Sequence, residues 1–134
     1  MRRLTRDFTG TGERASAAVE FALVLPLVLT MTLALLQVGL LAKDELVVGE
    51  SARAGARQAS VSTDDDSVRR SVENAAVGLG PDRLDVSLQR EGGVGTPAEV
   101  TVVYHAPVTV PIVSWLFPST IDISSSAVMR QETE

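Results

Sequence analysis

The residues best placed to do chemistry lie at the start of the longest apolar run in the chain. Residues 21–42 carry no charged side chain, and the acidic Glu20 directly precedes them. Ser16 comes one helical turn before Glu20, so in a helix the two side chains would lie on the same face. A carboxylate at this edge costs less than a charge at the centre of a membrane helix, where the penalty is about 2.5–3.5 kcal/mol. Glu20 therefore needs an explanation, and a residue at the membrane interface whose side chain reaches the headgroup region is a sufficient one.

Three other patterns could carry chemistry, and a structural explanation fits each of them better. His105 stands alone in a predicted strand, and because the chain has no cysteine a transition-metal site would need carboxylate ligands. Residues 64–66 are three aspartates without the alternating ligands of a calcium loop, which favours capping of a following helix. Residues 92–95 lack the lysine of a phosphate-binding loop and precede a strand, which favours a hairpin turn. We therefore expect a protein that is not an enzyme, with no catalytic residue, metal or cofactor.

The apolar run predicts a helix that crosses a membrane once. At about 1.5 Å per residue, residues 21–42 span roughly 33 Å, close to the thickness of the hydrocarbon core of a bilayer. The run is too long for a cleaved secretory signal, and the bulky Leu40 two positions before Ala42 does not fit a signal-peptidase site. The arginines of residues 1–14 favour a cytoplasmic N-terminus, with Lys43 as a slight opposing signal. We expect a single-pass protein of the cytoplasmic (inner) membrane with its C-terminal domain outside.

Sequence periodicity predicts that the helix continues beyond the apolar run. Small or branched side chains recur there at helical spacing and would form one face; they are Val48, Ala52, Ala56 and Ala59, with Gly55 beside them. Such a face allows the close approach of a sheet or of another helix. Arg53 and Arg57 would lie on the opposite, solvated side. The sequence thus predicts one long helix that is buried on one side outside the membrane.

Three residues interrupt the hydrocarbon character of the membrane-spanning run. Pro26 removes a backbone donor and predicts a kink. Gln37 and Gly39 could mark a face that packs on another helix, because small and amide side chains favour such contacts in membranes.

The second half of the chain predicts a short helix followed by strands. Residues 68–77 form the predicted helix, and apolar and polar side chains then alternate over residues 84–88, 100–104 and 121–129. Residues 112–117, between the last two strands, predict a short turn of helix that covers the core or touches the membrane. The expected fold class is α+β, with an N-terminal transmembrane helix extended into a long helix and packed on a small antiparallel sheet of about three strands.

The segment around Glu20 resembles the processing site of type IV prepilin-like proteins. A short basic leader ends in small residues, and the run Ser-Ala-Ala-Val-Glu-Phe-Ala-Leu-Val-Leu-Pro at residues 16–26 is most similar to the TadE-like pseudopilins of tight-adherence (Flp) pilus systems. The resemblance implies a pilin-like fold and a cut by a prepilin-type peptidase between Ala15 and Ser16. Ala15 stands where the family usually has glycine. Less specific similarity continues at residues 52–57 and 129–132.

The same resemblance implies that Glu20 acts in subunit assembly. Cleavage would expose an ammonium group on Ser16, and in pilin-like filaments the glutamate is thought to neutralise the N-terminus of an adjacent subunit. An unpaired carboxylate is costly in a low-dielectric helical bundle, so this pairing would set the axial register of the subunits. A pair between Ser16 and Glu20 of one chain is the alternative.

Residues 9–12 alternate threonine and glycine, which predicts no stable structure there and a helix that begins near Ser16. These patterns divide the chain into four parts: a cytoplasmic leader at residues 1–15, a transmembrane helix at 16–42, a helical extension at 43–62 and an extracytoplasmic α+β domain at 63–134. The net charge is −5, and the acidic outer part has no basic patch, which argues against nucleic-acid binding.

The expected function is that of a minor pilin-like subunit that takes part in assembling a tight-adherence pilus or a related secretion filament. Its expected partners are the membrane, a prepilin-type peptidase, other pilin-like subunits and pilus assembly proteins. The alternative is an uncleaved, signal-anchored envelope protein whose outer domain is a protein-binding module.

Overall fold

One long helix and a three-stranded sheet make up most of the chain. The computed structural model describes residues 9–110 and 118–132, with side chains from residue 14 onward. Helix α1 extends over Thr9–Val61 and, at about 1.5 Å per residue, is about 80 Å long. The elements that follow it are α2 (Asp65–Ala75), a single 3₁₀ turn (Pro81–Arg83), β1 (Leu84–Arg90), β2 (Pro97–Pro107) and β3 (Thr120–Arg130). The expected α+β arrangement is thereby confirmed.

Helix α1 begins earlier than the sequence predicted. We expected no stable structure over residues 9–12 and a helix start near Ser16, but the helix begins at Thr9. Extending an existing helix adds one hydrogen bond per residue, and each glycine costs only about 1 kcal/mol relative to alanine. The prediction of an unstructured segment is therefore wrong for residues 9–12. The helix also continues through Pro26, where the kink stays a prediction.

The sheet is an antiparallel meander with β2 in the centre. Its strand order is β1-β2-β3, and Val102 of β2 is paired with Val86 of β1 and with Ser125 of β3. The alternation predicted for β2 is confirmed, because Val100, Val102 and Tyr104 are buried on one face. Helix α1 lies against that face, and the polar side chains of the strands occupy the opposite, open face.

The small-residue face of α1 forms the centre of the outer domain's core. Its predicted members, Val48, Ala52, Ala56 and Ala59, are all at most 2% exposed. Both expected neighbours are present, since α2 and β2 pack on this one face, with Val72 and Val100 beside Gly55. On the other side of α1, Arg53 and Glu50 form an exposed ion pair at 2.6 Å, as the solvated-face prediction requires.

Helix α2 is capped by the aspartates that precede and open it. The carboxylate of Asp64 accepts hydrogen bonds from the backbone N–H groups of Asp66 at 3.2 Å and Ser67 at 3.1 Å. The capping prediction is confirmed, and the helix starts at Asp65, three residues before the predicted start, because the cap itself is Asp64. The turn predicted at residues 112–117 lies outside the described residues.

Candidate functional site in the first half of helix α1

Ala15, Ser16 and Glu20, the predicted site residues, lie together on an exposed stretch of α1. The hydroxyl of Ser16 donates to Oε1 of Glu20 at 3.4 Å, a long hydrogen bond across one helical turn. Because a carboxylate has about four lone-pair positions, this contact leaves Glu20 able to bind a further donor or a cation. The geometry therefore brings the two polar residues together and leaves the carboxylate open to a partner.

The bond between Ala15 and Ser16 lies within α1, close to its first residue. Gly10 and Gly12 stand in the turns that precede it, and each lowers helix stability by about 1 kcal/mol relative to alanine. Helix ends of this kind open at little cost in free energy. Residues 9–15 can therefore unwind and expose the peptide bond without disturbing the apolar part of the helix.

The apolar part of α1 presents large side chains on all sides. From Val19 to Leu36 the exposed residues include Phe21, Leu23, Leu25, Leu27, Leu29, Met31 and Leu35. The hydroxyls of Thr30 and Thr32 donate to the backbone carbonyls one turn earlier at 2.8 Å, so neither presents an unpaired donor. Within the described residues, this is the one helix long and apolar enough to cross a membrane.

Gln37 and Gly39 do not lie on a common face of α1, and a contact of Gly39 with another helix stays a prediction. Gln37 is 1% exposed, and its Oε1 accepts a hydrogen bond at 3.3 Å from the backbone N–H of Val110, which belongs to the same chain's outer domain. Gly39 faces away from this contact, with no atom within 4 Å of the position that a Cβ would occupy. Because one helical residue turns by about 100°, positions two apart lie on nearly opposite sides of α1.

The lone histidine joins all three strands on the open face of the sheet. Nδ1 of His105 lies 2.6 Å from Oδ1 of Asp122 on β3, and Nε2 lies 3.0 Å from Oδ2 of Asp85 on β1. These hydrogen bonds, that to Asp122 first, raise the pKa of His105 above 6.5. With both ring nitrogens occupied, neither is free to ligate a metal or take a proton from a substrate, which fits the structural role that we expected for His105.

Two further side chains tie distant parts of the outer domain together, and the sequence analysis predicted the contacts of neither. Arg90 donates to the carbonyl oxygens of Ser62 and Thr63, both at 3.0 Å, and to Asp65 at 2.6 Å, which fixes β1 to the connection between α1 and α2. Gln131, 4% exposed, uses Nε2 to bind the turn between β1 and β2. The roles of these two residues can be recognised only from their hydrogen-bond partners, which are distant in sequence.

One comparison with known proteins, that with family models, agrees with the resemblance at the start of the chain. Comparison with curated proteins and with solved structures yields no match. The family model described as TadE-like protein matches residues 15–57, which contain Ser16, Glu20, the apolar run and the small-residue face of α1 up to Ala56. The match and the apolar helix fit a pilus-related protein that crosses the membrane once. Over residues 15–57 the chain is therefore similar to TadE-like proteins, as the resemblance around Glu20 predicted.

Proposed function

We propose that this protein is a minor pilin-like subunit that is trimmed between Ala15 and Ser16 and takes part in assembling a tight-adherence pilus or a related filament. The observation that carries the proposal is the TadE-like match over residues 15–57, which begins at the predicted processing site. The exposure of Ala15, Ser16 and Glu20 supports it, since both a peptidase and a neighbouring subunit need access to these residues.

In the proposed orientation, residues 1–15 face the cytoplasm and the sheet lies outside. The arginine-rich leader supports this orientation, because basic residues are retained on the cytoplasmic side. The peptidase then meets its bond at the cytoplasmic end of α1, where the helix unwinds most easily. The outer domain lies on the other side of the membrane, away from the cut.

After trimming, the carboxylate of Glu20 binds the new ammonium group of Ser16 of a neighbouring subunit. In a bundle of apolar helices such a pair is worth more than it is in water, and leaving either charge alone is costly. The hydrogen bond from Ser16 to Glu20 within one chain, at 3.4 Å, is long enough to yield to a closer intermolecular pair. Pairing between chains would fix how far one subunit is shifted along its neighbour.

Substitution of Glu20 tests this mechanism. Glu20→Ala should insert into the membrane as the parent does, and recovery of the variant with other pilin-like subunits by co-precipitation should fall at least about tenfold, the equivalent of a 1.4 kcal/mol pair. Glu20→Asp keeps the charge and should retain part of the recovery, whereas Glu20→Gln should not. Leu23→Ala, an exposed apolar position one turn away, is the matched control. Normal recovery of Glu20→Ala would contradict the proposed pairing.

A further inference from the structure

The outer domain contacts α1 well before the uncharged run ends. Residues 108–110 follow β2 and belong to no helix or strand, and the N–H of Val110 donates to the buried amide of Gln37 at 3.3 Å. The N–H of Val108 donates to the carbonyl of Ser119, just before β3, at 3.2 Å. The ends of two strands and their irregular backbone are therefore held beside Gln37, whereas the first charged residue after the run is Lys43.

This irregular backbone cannot lie among lipid chains. Lipid-exposed coil does not occur in the hydrocarbon region, because any N–H or C=O group that lacks a protein partner has no water to bind there. Thr109, Ser119 and Thr120 are all exposed at this end of the sheet. A groove beside it is lined by apolar residues of α1 and β3 together with the acidic residues Glu45 and Asp122; the apolar ones are Val38, Leu41, Ala42, Ile121 and Ile123. Two acidic side chains and exposed polar residues therefore lie beside α1 beyond Gln37, although Val38 and Leu40 of α1 are themselves apolar and exposed.

We propose that the hydrocarbon core of the membrane ends at Gln37, about 9 Å before Lys43 along the helix. The exposed helix surface up to Leu36 is covered by lipid chains, and the outer domain rests on the headgroup layer with residues 108–110 and 118–120. This inference depends on α1 crossing a membrane and holds whether or not the protein assembles into a pilus.

The boundary at Gln37 changes the position of Glu20. Residues 21–36 span only about 24 Å, whereas the hydrocarbon core is about 30 Å thick and needs about 20 residues of helix. The span must therefore take in residues 17–36, with Glu20 roughly one helical turn inside the hydrocarbon and Ser16 at its edge. Helical side chains tilt toward the N-terminus, so the carboxylate of Glu20 is directed back to Ser16, as their hydrogen bond requires.

Single cysteines on the exposed side of α1 can locate the boundary, because the natural chain contains none. Four substitutions replace exposed side chains: Phe21→Cys, Leu36→Cys, Ala42→Cys and Leu46→Cys. The full-length variants are reconstituted in phosphatidylcholine liposomes that are opened by freeze–thaw, and the rate of labelling by a water-soluble maleimide is measured. Only the thiolate reacts, and it does not form in hydrocarbon. Equal labelling of all variants in sodium dodecyl sulfate is the control for intact thiols.

A hydrocarbon core that ends at Gln37 and one that ends with the uncharged run at Ala42 predict opposite labelling rates for Ala42→Cys. With the core ending at Gln37, Ala42→Cys should react within about threefold of the rate of Leu46→Cys, and Leu36→Cys and Phe21→Cys should react at least about tenfold more slowly. Slow labelling of Ala42→Cys would overturn the boundary at Gln37. Fast labelling of Phe21→Cys would overturn the placement of Glu20 inside the hydrocarbon.

Discussion

Gly55 of α1 lies so close to Val100 of β2 that a Cβ on Gly55 would be 2.9 Å from Cγ1 of Val100. On the α2 side the same Cβ would meet Cγ2 of Val72 at 2.5 Å. Valine has a stiff, branched side chain, so neither neighbour can move aside easily. The absence of a side chain at this one position lets α1, α2 and the sheet share a single small core.

Gly55→Ala should therefore destabilise the outer domain. Alanine raises helix propensity at any interior glycine by about 1 kcal/mol, so a second glycine of α1 is needed to separate propensity from steric overlap. Gly49 supplies it, because a Cβ there meets only Oγ of Ser125 at 3.9 Å. Thermal or urea unfolding of the full chain in detergent should find Gly55→Ala less stable than Gly49→Ala by about 1–3 kcal/mol. Equal stability of the two variants would show that the helix does not approach the sheet this closely.

The register of the central strand leads to a second prediction. Val102 is fully buried, and its neighbour Thr101 lies on the open face opposite Ser87 and Ser126. Val102→Asp places an unpaired charge in the core and should cost more than about 3 kcal/mol, enough to unfold a small domain. Thr101→Asp should change the unfolding free energy by less than about 1 kcal/mol. The reverse order, followed by circular dichroism, would mean that the strand faces the other way.

The stability of the sheet should depend on the charge of His105. A raised pKa means that protonation favours the folded state, so the contribution is complete below about pH 6.5 and is lost as the pH rises through the raised pKa. The difference in Tm between the natural protein and His105→Gln should therefore be largest near pH 6 and shrink toward pH 8.5. Titration of the His105 ring by NMR should find a lower pKa in both Asp122→Asn and Asp85→Asn, more so in Asp122→Asn because that contact is shorter. An unchanged pKa in both variants would contradict the three-strand contact.

Gln131→Glu should loosen the end of β3. Nε2 of Gln131 donates to the carbonyl of Gly92 and to Oγ1 of Thr96, both at 3.0 Å. A glutamate of the same shape would face the Gly92 carbonyl with an oxygen that cannot donate, at a cost of about 1–3 kcal/mol in unfolding free energy. Glu132→Gln, an exposed neighbour, should change stability by less than about 0.5 kcal/mol. If chemical denaturation ranked the two variants equally, the contact with the turn would carry no stability.

Local patterns were enough to predict the sheet and the buried face of α1. Alternation along a strand fixes which residues share a face, so Val100, Val102 and Tyr104 could be placed in the core before their partners were known. Helical spacing did the same for Val48 and Ala52. The start of α1 was missed because glycine content is a weak local signal beside the cooperative extension of a long helix.

Contacts between distant residues could not be predicted in this way. His105, Asp85 and Asp122 meet only because the pairing of the strands sets them side by side, and alternation alone does not fix that register. Gln37 and Val110 are brought together by the path of the chain between β2 and β3. The roles of Ala15, Ser16 and Glu20 stay predictions, because they concern a peptidase and a second subunit.

The most direct test of the proposed processing is the mass of the protein's N-terminal peptide after expression with a tight-adherence pilus system and its prepilin-type peptidase. We expect the parent chain to begin at Ser16. Ala15→Leu should keep its full length, and Ala15→Gly should be cut at least as completely as the parent. A protein that retains residues 1–15 in membranes where the system's own pilin is trimmed would contradict the account and favour a plain signal-anchored envelope protein.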